Sequence, residues 1–234
     1  MIGVELSLRQ ADCPLSAASA AYDVAFVTPH WQYHRDDARL ELRMLVDASS
    51  RAALEAGLET VRNHPSTTSF ELLAKQEKTA RSRLTMGTTT AMGTVVDHDG
   101  YLTGPFRNVD GIERWSLGFD TEAATRGALS SLQGNTDDQC TVTRHEAVTP
   151  SAALENVRAD AVGTRLLEAH RHLTSTERET IERALEAGYY EVPRSTTLGE
   201  LADSLGVSDA AVSKTLRRAE SKLLPPSVRR PEWG

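Results

Sequence analysis

LTSTERETIERALEAGYYEVPRSTTLGELADSLGVSDAAVSKTLRRAESKLL, from Leu173 to Leu224, reads as three helices whose starts and stops are set by capping chemistry. Thr174 and Glu177 have capping-box spacing, in which the hydroxyl accepts the N3 amide and the carboxylate reaches back to the Thr amide. Ile181, Ala184 and Leu185 continue one apolar face, and Gly188 stands where a left-handed C-cap ends a helix. Tyr189, Tyr190 and Pro193 form a stiff aromatic connector. Thr197 and Glu200 repeat the capping box, and Leu198, Leu201, Ala202 and Leu205 give a second, short helix its stripe before Gly206. Ser208 caps a third helix, on which Val212, Leu216, Ala219 and Leu223 share a face by three- and four-residue steps. Pro225-Pro226 is expected to end it.

A short helix, a tight turn at Gly206 and a basic second helix make the arrangement that lays a recognition helix in the major groove of double-stranded DNA. The expected DNA-binding residues are Ser208, Asp209, Ala210, Ser213, Lys214, Arg217, Arg218 and Lys222. The bland reading of the same pattern is a three-helix bundle that holds a dimer together, with Lys and Arg as a solvated face. Charge separates the two. The chain carries a net charge of −7, but the residues from Arg171 onward hold ten basic and ten acidic side chains, so all the excess acid lies upstream. Lys214 to Arg230 holds six cations against Glu220, a local balance of +5 that suits phosphate contact. Arg229-Arg230 reads as a phosphate-contacting tail.

GYYEVPR (Gly188 to Arg194) followed by LGELADSLGVSDAAVSKTLRRAESKLL (Leu198 to Leu224) resembles the helix-turn-helix domain of the bacterio-opsin activator family, transcription regulators of halophilic archaea. The resemblance covers roughly a fifth to a quarter of the chain. It implies a fold close to sigma-factor region four and to response-regulator output domains, with Ser208 to Lys222 as the reading helix and Lys214 and Arg217 its foremost groove or phosphate contacts. The best-known members carry large PAS and GAF sensor domains, for which 234 residues leave no room, so what is sensed does not carry over.

The length suggests one or two domains, and a hydrophobic content of 39% suffices for a buried core. The sequence lacks an apolar run able to span a bilayer, and Met1-Ile2-Gly3 leads into an alternating VELSL, so a cytoplasmic protein with no membrane partner is expected. Cys13 and Cys140 lack CxxC spacing, which predicts neither a disulfide framework nor a structural zinc site.

Upstream, Val4 to Leu8 and Arg39 to Val46 alternate with strand period, and Ser50 caps a helix with Ala53, Leu54, Leu58 and Val61 on one face, ended by Asn63-His64-Pro65. Strands are expected over 69–74 and 81–86, and turns at Asp99-Gly100 (a hairpin into YLTGPF) and at Asp110-Gly111. Glu113 to Phe119 is then a strand, Asp120 or Thr121 caps a helix through Leu132, and Cys140 to Arg144 is a final strand. LELRMLVDASSRAALEAGLETVRNHPSTTSFELL and IERWSLGFDTEAATRGALSSLQGNTDDQCTVTR share a plan of strand, Asp, helix, loop and strand. That is the symmetry of a ferredoxin-like, split βαβ sandwich. The expected fold class is α+β: residues 1–150 an α/β sensor or interaction domain, 151–172 a helical linker, and 173–234 an all-α helix-turn-helix domain. The upstream domain is also similar to the segment that precedes the helix-turn-helix in smaller members of the same family, DGYLTGPF above all, for which no agreed ligand follows.

P-loop, GxGxxG, GxSxG and HExxH motifs are missing, so neither an enzyme nor a cofactor is expected. Cys13 with His30 and His34 of HWQYH is the nearest thing to a metal or thiol sensor, yet Pro29, Trp31 and Tyr33 favour a loop or strand, where i and i+4 spacing does not guarantee convergence. The expected function is a sequence-specific DNA-binding transcription regulator, a homodimer on two half-sites, whose N-terminal domain meets a small effector or the transcription machinery. The alternative is a small-molecule-binding or assembly protein whose tail makes protein contacts.

Overall fold

A computed structural model describes residues 1–135 and 139–228, and these divide into two compact units, Met1–Thr149 and Pro150 onward. The first unit runs β1 (Ile2–Arg9), α1 (Pro14–Ala21), β2 (Val24–His34), a 3-10 turn, β3 (Arg39–Ala48), α2 (Arg51–Asn63) and β4 (Thr67–Gln76). It continues with β5 (Thr79–Gly87), α3 (Thr90–Asp97), β6 (Tyr101–Leu102), β7 (Phe106–Val109), β8 (Ile112–Phe119), α4 (Glu122–Gly134) and β9 (Gln139–Ala147). The second is all helix: α5 (Pro150–Arg171), α6 (Ser175–Glu186), α7 (Leu198–Leu205) and α8 (Asp209–Val228). The mixed α+β class read from the sequence is the one observed.

Among the described residues, all nine strands join one antiparallel sheet in the order β4-β5-β3-β2-β7-β8-β1-β9, with β6 beside β8. Alternation decides the faces. Val4, Leu6 and Leu8 lie opposite Leu117, Trp115 and Glu113 of β8, while Leu40, Leu42 and Val46 lie opposite Met86, Leu84 and Ala80 of β5. The apolar members form one buried cluster with Leu15, Leu54, Met92 and Leu132 of the four helices, so the helices cover one face and the other face is open. Ser50 and Thr121 cap α2 and α4 by accepting the amides of Ala53 and Ala124, both at 3.1 Å.

The ferredoxin-like plan occurs twice, with its first strands exchanged. β3–α2–β4 is a split βαβ whose central strand is β5, and β8–α4–β9 is a second whose central strand is β1. The chain reads βαββαβ from β1 to β4 and again from β5 to β9, counting β6 and β7 as one interrupted strand. Each repeat therefore gives its opening strand to the other. The repeats meet where β2 pairs with β7 through Phe26–Asn108, Val27–Arg107 and Thr28–Phe106. The connectors out of β1 and β5 touch: Asp12 Oδ2 accepts the amide of Thr90, at the start of α3, at 2.9 Å.

One open reading is decided and two local expectations are corrected. HWQYH is the end of strand β2, where a bulge between Val27 and His30 turns Trp31 and Tyr33 onto the core and leaves His30 and His34 across from Arg43 and Arg39. Asp99-Gly100 ends α3 and is not a hairpin turn, because His98, Asp99 and Gly100 all donate to carbonyls of Val95 or Val96. A Cβ on Gly100 would meet the Phe119 ring at 2.5 Å, which is why glycine stands there. Asp110-Gly111 does turn a hairpin, β7 to β8, with φ of +53° and +73°. Finally α8 runs through Pro225 and Pro226 to Val228. Proline's fixed φ is helical, so near a helix end it forfeits amide donors without forcing a stop.

Candidate nucleic-acid interface

Both capping boxes form. Thr174 Oγ1 accepts the Glu177 amide at 3.2 Å while Glu177 Oε2 accepts the Thr174 amide at 2.9 Å, and Thr197 and Glu200 do the same at 3.3 and 2.8 Å. Gly188 and Gly206 take the left-handed conformation at φ +72° and +66° that ends α6 and α7. Between them, Arg194 lies over the Tyr189 ring at 4.6 Å, and Tyr189 and Tyr190 meet edge to face at 5.2 Å. The Tyr190 hydroxyl donates to Glu220 Oε1 of α8 at 2.5 Å, and burial together with that carboxylate pushes its pKa up. The aromatic run thus clamps the connector onto α8.

Ala184 of α6, Leu201 and Ala202 of α7, and Val212 and Leu216 of α8 make one buried core, with Ile181, Tyr189, Leu198 and Leu205 packed against it. Ser208 Oγ accepts the Ala211 amide at 3.3 Å and starts α8. With Val212, Leu216 and Ala219 turned inward, Ser208, Asp209, Ala210, Ser213, Lys214, Arg217 and Arg218 are all exposed. Lys214, Arg217 and Arg218 enter no ion pair among the described residues. Their three cations on one surface of a helix, behind a left-handed glycine turn, form a geometry that can follow a phosphate backbone and present guanidinium forks to base edges.

Lys222 is placed differently. Its Nζ donates to Glu177 Oε2 at 2.5 Å and to the His172 carbonyl at 3.0 Å, and the Glu177 side chain is only 8% exposed. That contact, with the Thr174 amide, holds the Glu177 carboxyl below the usual range. The residue is a tie between α8 and the start of α6, a role that the run of basic residues along α8 does not reveal. Arg229-Arg230 lies outside the described residues.

The suspected sensor trio is not brought together. Cys13 is buried at the start of α1, while His30 and His34 share the opposite face of the sheet with Arg43 and Arg39. Among the described residues, no group of three or more His, Cys, Asp or Glu is arranged to hold a metal ion.

Residues 173–225 match a helix-turn-helix DNA-binding domain, which bears out the resemblance of GYYEVPR and the helices after it to the bacterio-opsin activator regulators. Residues 3–138 match the N-terminal domain model HVO_2525_N. A putative transcriptional regulator of Haloferax volcanii is 46% identical over 52 residues, 22% of this chain and 9% of that protein. Two proteins named dimethyl sulfoxide reductase transcriptional activator are also similar. The one from Haloferax volcanii is 47% identical over 51 residues, 22% of this chain and 24% of its own length. The one from Halobacterium salinarum is 35% identical over 85 residues, 33% of this chain and 38% of its own. The chain therefore covers well under half of each relative. No solved structure matches it.

Proposed function

The chain belongs to the HVO_2525_N family, and from that premise we propose that it is a sequence-specific DNA-binding transcription regulator that works by binding and not by catalysis. The observation that carries the reading is the outward set Lys214, Arg217 and Arg218 on α8, backed by the buried Val212/Leu216/Ala219 stripe. In this reading α8 enters the major groove, its N-terminal residues Ser208 to Ser213 approach base edges, and its cations hold phosphates. The names of the relatives point the same way. One such module is a small interface, so a homodimer spanning two half-sites supplies the remaining affinity. The strand-exchanged α/β unit takes the sensing or protein-contact role, and the protein works in the cytoplasm. Among the described residues no helix is long and apolar enough to cross a membrane.

The test is binding of the full chain to genomic fragments at two salt concentrations, with Lys214→Ala and Arg217→Ala beside the parent. Removing a cation that neutralises one phosphate flattens the slope of log affinity against log salt by about 0.9. Removing a side chain that reads guanine instead lowers discrimination at one base pair by roughly 1–3 kcal/mol. Affinity and slope unchanged in both variants would take α8 out of the interface.

A further inference from the structure

The sheet face that the four helices leave bare carries arginines without counter-ions. One register line crosses it: Arg81 of β5 lies opposite Leu45 of β3, Leu45 opposite Val27 of β2, Val27 opposite Arg107 of β7, and Arg107 opposite Arg114 of β8. Their chain neighbours Ala80, Met44, Phe26, Asn108 and Glu113 are buried, so the line itself points away from the helices. Arg81, Arg107 and Arg114 are exposed, and among the described residues they enter no ion pair. In the adjacent row, by contrast, Arg43 is paired with Glu41 at 2.8 Å and Arg83 with Glu71 at 2.6 Å. Like charges directly opposite each other across a strand pair destabilise it, so Arg107 facing Arg114 calls for an anion from outside.

Between the two ends of the line the surface is apolar. A groove of about 500 Å³ runs over Ala25, Val27, Leu45 and Ala74, bordered by Asp47 and Arg81, and Leu45 is 50% exposed. A nucleic-acid backbone suits this arrangement poorly, because it would cover Leu45 without an apolar partner and bring phosphate to Asp47, which enters no ion pair among the described residues. The spacing suits an extended peptide instead. Neighbouring strands lie about 4.8 Å apart, which separates Arg81 from Arg107, three strands on, by about 14 Å. Side chains at i and i+4 of an extended chain, at about 3.3 Å per residue, are about 13 Å apart, with residue i+2 midway between them. We propose that this open face docks an acidic peptide segment of a partner protein in which two carboxylates flank an apolar residue at alternate positions. The first carboxylate meets Arg81, the apolar side chain covers Leu45 and Val27, and the second carboxylate is shared by Arg107 and Arg114. The proposal rests on the protein-contact role given to the N-terminal unit and is independent of α8.

The experiment titrates the full chain into a fluorescein-labelled, end-capped peptide that alternates serine with glutamate, leucine and glutamate, with anisotropy as the readout. Arg81→Gln, Leu45→Ser and Arg107→Gln should each weaken binding by about two- to fivefold, and Arg107→Gln combined with Arg114→Gln by more. A peptide with serine in place of leucine, and one with its two glutamates adjacent, should bind less well than the first. All four side chains are exposed, so circular dichroism of the variants should match the parent. Affinity for genomic DNA fragments should be the same in the double arginine variant as in the parent; a loss there would make the face a nucleic-acid surface and overturn the proposal. So would equal binding of the peptides with and without leucine. Peptide binding unchanged in every variant would overturn this face while leaving the unit its contact role, whereas no binding of any of the peptides by the parent would take an acidic contact from the unit altogether.

Discussion

Lys222 Nζ and the Thr174 amide share one acceptor, Glu177 Oε2, at 2.5 and 2.9 Å, so the box that starts α6 is also the anchor of α8. Replacing Lys222 by Ala should therefore loosen the helical unit, lowering its thermal midpoint by a few degrees. DNA affinity should fall only in step with the folded fraction, and the salt slope should stay at its parental value. A flattened slope with an unchanged midpoint, in circular dichroism and binding titrations run side by side, would return Lys222 to the phosphate contacts.

Val212 is 1% exposed in a core of few side chains. Val212→Asp puts an unpaired charge there, at a cost above about 4 kcal/mol. We expect α6 to α8 to unfold and DNA binding to vanish at every salt concentration. The tertiary fluorescence of Trp115, in the other unit, should persist. Limited proteolysis that finds 173–225 as resistant as in the parent would show that Val212 faces solvent and that the helical register is different.

The C-terminal helices were legible because their signals are local. Thr174 with Glu177, Thr197 with Glu200, and the glycines at 188 and 206 act within one or two turns of themselves. The β3–α2–β4 and β8–α4–β9 plans were legible for the same reason. Helix α1, PLSAASAA, was not: it is short, has no charge and buries Leu15, Ser16 and Ala18, so it shows no amphipathic period. Nor was α3, with Gly93 and two adjacent valines. The exchange of β1 and β5 leaves no local trace, since Leu6 finds Trp115 across more than a hundred residues. Lys222 reads as part of a basic patch until its carboxylate, 45 residues upstream, is placed beside it.

Acid should act on the helix-turn-helix through its two capping carboxylates. The Lys222 ammonium beside Glu177, and the Thr197 amide and hydroxyl on Glu200, hold both below the ordinary 4.5. A depressed folded-state pKa contributes stability that is complete above the unfolded value and is lost as pH falls through the folded one. Helical stability should thus be insensitive to these groups near neutrality and decline below about 4.5. In Glu177→Gln the decline should be shallower, although the neutral-pH midpoint is lower. Identical pH profiles for parent and variant in circular dichroism would remove Glu177 as the source.

Burial, reinforced by Glu113, raises the Cys13 thiol well above its usual pKa. The thiolate is the nucleophile, so Cys13 should resist alkylation at neutral pH until the N-terminal unit unfolds. Iodoacetamide labelling followed by peptide mass spectrometry, with and without denaturant, measures this. Native labelling of Cys13 at the rate of a free thiol would place it at the surface and reopen a thiol-sensor role.

Leu6 and Leu84 occupy equivalent places in the two repeats, Leu6 between Trp115 and Val142, Leu84 between Leu42 and Phe70. Each is at most 1% exposed, and each belongs by sequence to the repeat whose sheet it does not complete. Leu→Ala at either site should cost about 2–5 kcal/mol from the missing side-chain burial and the cavity left behind. Because each strand crosses to the other repeat, neither variant should yield a half-folded unit. Denaturant unfolding of the N-terminal unit, followed by tryptophan fluorescence, should give a single transition for both, with similar losses. Two separated transitions in Leu84→Ala, the β1-containing half surviving alone, would mean that the repeats fold independently and that the exchange does not couple them.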